Sequence, residues 1–165
     1  MSQADGFPSR SPTSRSNGRR PITCLPKEGR SRLIFNESER VATWCQERLP
    51  DFIGWNGYYQ AIGYERDGEL KGGVVFSGYS LTNLTLATVL EAPLTRMFLR
   101  AVFFFPFLQL KVRRVTALID SRNHVSRKLA EKAGFVQEGC LREAASADDV
   151  IVYGLLRREC RWIPQ

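Results

Sequence analysis

The chain has 165 residues, of which 43% are hydrophobic, and carries a formal net charge of +7. That length buries a core in one domain without disulfide or metal staples, and the composition excludes a wholly disordered chain. Residues 1–32 hold seven basic and two acidic groups, so the basic excess lies mostly at the N-terminus and the remainder is nearly balanced.

Cys24, Cys45, Cys140 and Cys160 show no Cys-x-x-Cys spacing, and His124 is the single histidine, which speaks against a metal site. Scattered cysteines in a domain of this size point to reduced thiols and a cytoplasmic location. The longest apolar run, 101–108, falls far short of the ~20 residues needed to cross a bilayer. The N-terminus lacks the apolar core of a secretory signal. Residues 1–31, rich in Ser, Pro, Gly and Arg, are expected to form a disordered basic tail, with a single domain over 32–165.

Asn36, Glu37, Ser38 and Glu39 signal a helix start, with Val41, Trp44, Cys45 and Leu49 on one face and Pro50 as its stop. Strands are expected at 60–65 and 74–79, joined through Asp67-Gly68, a pair that favours positive φ in a hairpin. A third strand covers 84–90. Pro93 suits a first helical turn, and Leu94, Phe98, Ala101, Val102, Phe105 and Leu108 follow at helical spacing. Phe103, Phe104 and Phe107 suggest burial on more than one side, and Pro106 should kink or end the regular helix.

The block 112–159 is the most informative. Residues 114–119 read as a buried strand. A helix over 122–133 has Val125, Leu129 and Ala133 as its apolar stripe, with Arg127, Lys128, Glu131 and Lys132 facing water. Gly134 suits the left-handed cap, and Phe135 packs back on the last turn. Strands at 136–142 and 150–156 end the domain. The order of elements predicts an α/β (α+β) fold, a sheet with flanking helices.

The series Asn123-x-x-Ser126, Lys132-x-Gly134-Phe135, Glu138-Gly139, then Tyr153 and Leu155, resembles the GNAT N-acetyltransferase superfamily. The similarity is greatest to the branch that includes ribosomal-protein N-terminal acetyltransferases and their bacterial and phage relatives. It covers about residues 33–160. It implies a mixed, mostly antiparallel sheet splayed between 84–90 and 114–119, where the pantetheine arm of acetyl-CoA, the implied co-substrate, pairs with exposed strand backbone.

The resemblance also implies roles. Asn123 contacts the cofactor arm or fixes its loop. Ser126 is a candidate acid near the thioester sulfur; Glu91, by its position at the end of the third strand and not by the resemblance, is a candidate base acting directly or through water. Thr88 and Leu90 fall on the cofactor strand. Thr95, Arg96, Arg100 and Ala101 fall on the pyrophosphate loop, where Arg96 and Ala101 match the family pattern while Met97 and Leu99 replace residues that are commonly glycine. Ala130 stands where many relatives have a tyrosine acid.

The implied activity is acetyl transfer to a primary amine by direct attack in a ternary complex. The acceptor is a small-molecule or protein amine, with residues 55–59 and 141–150 forming its groove. The partner expectation is a monomer or homodimer with no membrane partner. Two alternatives share the fold. One is a catalytically inactive binding module, favoured by Met97 and Leu99. The other is a transferase tethered to nucleic acid by the basic tail.

Overall fold

A computed structural model describes residues 31–49, 55, 57–146 and 148–164. Residues 1–30 of the tail expected over 1–31, Cys24 and the Pro50 helix stop lie outside the described residues, while Ser31 belongs to the first strand. The elements are β1 (Ser31–Ile34), α1 (Ser38–Gln46), β2 (Gln60–Arg66), β3 (Glu69–Ser80), β4 (Asn83–Leu90), α2 (Arg96–Phe104), β5 (Arg114–Asp120), α3 (His124–Ala133), β6 (Val136–Leu141) and β7 (Val150–Leu156). The strands form one sheet of order β1-β2-β3-β4-β5-β7-β6. All its pairings are antiparallel except β4 with β5. The expected α/β architecture is therefore present, with one strand more than the sequence signalled: β1, which pairs with β2.

The β2–β3 hairpin turns where Asp-Gly chemistry predicts, with Asp67 at φ 55° and Gly68 at φ 86°. β3 begins at Glu69, five residues before the expected start at 74. Gly72 and Gly73 hid those residues, because glycine is depleted in strands. Here glycine is required by packing. A Cβ at Gly73 would stand 2.5 Å from Cys45 Sγ and 2.9 Å from Val41 Cγ1, so the bare backbone lets α1 settle on the sheet. Ser38 fastens that helix further, its Oγ accepting from Ala61 N at 3.0 Å.

Two apolar layers result. Val41, Ala42 and Cys45 of α1 pack on Ile34, Ala61, Leu70 and Val75 on one face of the β1–β4 half. On the other face, Phe98, Val102, Phe103, Phe107, Ala130 and Ala133 pack on Phe76, Leu86, Val115, Tyr153 and Leu155. Burial pushes the Cys45 thiol up from 9.0 to about 12. Cys45, Cys140 and Cys160 form no disulfide with one another.

α2 opens at Arg96, not at Pro93, because Thr95 is its N-cap and accepts from Phe98 N at 3.1 Å. Its regular part ends at Phe104 and continues as a π turn, Phe105–Gln109, through Pro106. Phe103 and Phe107 are buried as expected, whereas Phe104 is exposed. α3 ends on Gly134 at φ 108°, with Phe135 N donating back to Ala130 O at 3.0 Å and the Phe135 ring buried. The expected stripe of this helix needs correction. Val125 is 80% exposed, and the buried positions are Ala130 and Ala133, with Leu129 half-buried. Arg127 does not simply face water: its Nε donates to the buried Tyr153 hydroxyl at 3.3 Å, and Nη1 donates to Ser121 O at 3.1 Å. Tyr153 in turn donates to Glu131 at 3.1 Å. No helix among the described residues is long and apolar enough to cross a membrane.

Candidate active site

β4 and β5 are in register at only four positions, from Asn83 with Arg114 to Leu86 with Ala117. Beyond them Ala87–Leu90 remains paired to β3, and 118–120 to β7, but not to each other. Backbone donors and acceptors on the facing edges are thereby released from the ladder. A cleft of about 720 Å³ opens at this fork.

Strand parity divides the cleft into two sides. Gly73 faces α1, and β3 residues Val75 and Ser77 follow it at period two. Opposite partners share a face, so Thr85 and Ala87 of β4, then Thr116, Leu118 and Asp120 of β5, belong to the α1 side of the sheet. Leu86, Thr88 and Leu90 belong to the other side, under α2 and α3. Both sets contribute to the cleft walls. The cleft therefore passes through the sheet and is reachable from both faces.

On the α2/α3 side, Phe98, Leu99, Val102, Leu129 and Ala130 give apolar walls, and Asn123 and Ser126 lie at the N-terminus of α3. Asn123 caps that helix, its Oδ1 accepting from Ser126 N at 3.0 Å. Its Nδ2 and Ser126 Oγ make no hydrogen bond within the described residues, so both remain available to a ligand. Thr88 lines the same cleft, its hydroxyl donating to Gly73 O at 3.1 Å, and Leu90 lines it too.

The other expected residues lie apart from this wall. Thr95 uses its hydroxyl as the α2 cap. Arg96 and Arg100 are exposed on α2 and make no ion pair within the described residues, and Ala101 is half-buried. Met97 is 48% exposed and points outward, while Leu99 forms part of the cleft wall. Glu91 does not line the cleft. It occupies a neighbouring depression beside α1, where Arg48 Nε donates to its Oε1 at 2.7 Å.

On the α1 side, Trp55 and, from the loop before β7, Ala144, Ala145 and Ser146 line the cleft, together with Val150. These come from the two segments expected to form an acceptor groove. Asp120, to which the sequence reading gave no role, is the one charged side chain among the described lining residues. Its signal was hidden at the end of β5 before a turn, where Asp is common without any ligand. Among the described residues no group of three or more His, Cys, Asp or Glu is placed to hold a metal ion.

No family model matches the sequence, and no curated protein sequence is similar to it. Solved structures are similar in fold. A single-site mutant of the spermidine N-acetyltransferase SpeG from Vibrio cholerae superposes with a TM-score of 0.63 at 15% identity, over 77% of this chain and 94% of that one. The ribosomal-protein-S5-alanine acetyltransferase from Vibrio fischeri gives 0.60 at 14% identity, over 81% and 96%. A probable acetyltransferase gives 0.54 at 22% identity over 61% of this chain, which spans 63% of that protein. With a mostly antiparallel seven-stranded sheet and one parallel, forked pair at its centre, the chain has the fold of the GNAT acetyltransferases.

Proposed function

We propose that the protein transfers an acetyl group from acetyl-CoA to a primary amine. The observation that carries this reading is the fork between β4 and β5, with its through-sheet cleft ending at Asn123 and Ser126. The unpaired edges of Ala87–Leu90 and 118–120 suit the amides of an extended pantetheine arm, which would complete the interrupted ladder. The first-turn N–H groups of α2, with Arg96 and Arg100 exposed beside them, suit a pyrophosphate. Met97 turns outward, so its bulk leaves those donors accessible.

Acetyl-CoA supplies the activated carbonyl. A neutral amine attacks it directly, forming the C–N bond as the C–S bond breaks. Ser126 Oγ donates a proton to the departing thiolate, directly or through water. Glu91 stands outside the cleft and is ion-paired with Arg48, so water takes the amine proton and Glu91 contributes only through a water chain.

Calorimetric titration of the full chain with acetyl-CoA tests the reading. One-to-one binding and a raised unfolding midpoint are expected. Neither heat nor a midpoint shift at about 1 mM ligand would overturn it, since a real site must stabilise the fold by mass action. The inactive-module alternative, favoured by Met97 and Leu99, predicts no acetyl-CoA binding.

A further inference from the structure

We infer that Asp120 is the anchor for the acceptor's ammonium group, and that the acceptor is a primary amine carrying one positive charge on an apolar body. The inference rests on the acetyl-transfer reading and adds the acceptor class. Asp120 shares the α1 side of the sheet with Leu118 and Ala87, across the sheet from Ser126 and Asn123. An amine held there as its ammonium first loses a proton to water, and the neutral amine then approaches the fork from the side opposite the helix that carries the proposed acid.

The carboxylate is fixed in place. Its Oδ1 accepts from Arg122 N at 2.8 Å, and its own carbonyl accepts from Asn123 N at 2.9 Å. Its charge is also largely left for a ligand. The nearest cation, Arg122, has its Nε 3.8 Å from Asp120 but 3.2 Å from Asp148, so Asp148 is its closer partner. Oδ2 of Asp120 has no partner within the described residues.

The walls argue for a single charge. Leu118 is 51% exposed on this side although it lies in the middle of the sheet, and Trp55, Ala144 and Ala145 complete an apolar surround. The acidic groups of the neighbouring loop are engaged elsewhere. Asp148 binds Arg122, and Asp149 accepts from Glu143 N and lies against Cys140 Sγ. Neither lines the cleft, nor does Glu143. Among the described lining residues no second carboxylate is present to receive a polyamine's further ammonium groups, which would meet apolar side chains at a cost in desolvation.

The test compares acetylation of 2-phenylethylamine and spermidine, read by thiol release from acetyl-CoA, in wild type, Asp120→Asn and Leu118→Lys. Asparagine retains the Oδ1 acceptor of the turn, and Leu118→Lys leaves the turn untouched while adding a cation beside Asp120. Wild type should have the higher kcat/KM for 2-phenylethylamine. Each variant should raise its KM about tenfold or more, while acetyl-CoA binding remains detectable by calorimetry. Unchanged KM in both variants overturns the inference. So does preference for spermidine, or turnover of neither amine by a protein that binds acetyl-CoA. Failure to bind acetyl-CoA at all is the separate failure of the underlying reading.

Discussion

Leu86 and Ala117 are the last residues at which β4 and β5 face each other in register; two residues further on, Thr88 and Ile119 line the cleft. The amides beyond this point on the cleft edges have lost their ladder partners and should exchange readily with solvent hydrogen. Acetyl-CoA should slow exchange in the peptides covering 87–90 and 118–120 by about tenfold or more, and by more than in β2. Hydrogen-exchange mass spectrometry checks this. Protection confined to other elements would place the ligand elsewhere.

Ser126→Ala should lower kcat by about 10²-fold with little change in acetyl-CoA affinity, as expected when a proton donor to the leaving group is removed. The backbone N–H that Asn123 caps is retained, so the helix start survives. A kcat equal to wild type would remove Ser126 from the mechanism.

Gly73→Ala should destabilise the fold by about 1–3 kcal/mol in urea denaturation, because the new methyl group meets Cys45 Sγ and Val41. Adding Cys45→Ala removes the nearest obstacle at 2.5 Å, so the double variant should be more stable than the sum of the two single effects predicts. Strict additivity would mean that α1 yields freely.

Glu65 on β2 is buried at 3% exposure and bound by Arg32 and Arg40. The Arg32 hydrogen bond above all, with that of Arg40, holds its carboxyl below the ordinary 4.5 despite the opposing effect of burial. A depressed folded-state value means that the stabilisation is complete above 4.5 and is lost as pH falls through that lower value. Thermal unfolding against pH should therefore show a shallower acid-side loss in Glu65→Gln than in wild type. An unchanged acid limb would show that the pair does not couple folding to protonation.

Much of the central fold is legible in the sequence, because each signal there has a local cause. Asp67-Gly68 demands positive φ, Gly134-Phe135 demands a helix stop, and Asn123 finds its cap acceptor role three residues from Ser126. The losses have equally specific causes. β1 is four residues at the end of a Ser-, Pro-, Gly- and Arg-rich stretch that reads as tail, and its pairing with β2 is non-local. Gly72-Gly73 reads as a strand breaker, yet it is where a helix presses closest. Val125 fits helical periodicity, but α3 lies over the sheet on its alanines, a choice made by packing distance. Asn123, Ser126, Thr88 and Leu90 converge on one cleft, and Glu91 does not, because it lies just past the end of β4 and is drawn to Arg48 beside α1. Asp120 escaped notice because only strand pairing reveals which side of the sheet it serves.

The last strand in the sheet, β6, has one neighbour, and its register with β7 slips between Gln137 and Gly139. Glu138, at the slip, reaches Arg114 at 2.7 Å and lies over Gly154, where any side chain would collide with its carboxylate. The outermost strand is thus bent and charged at its midpoint. Such an edge cannot seat another strand along its whole length. The same three residues that join β5, β6 and β7 across one face also guard this edge against the addition of a further strand.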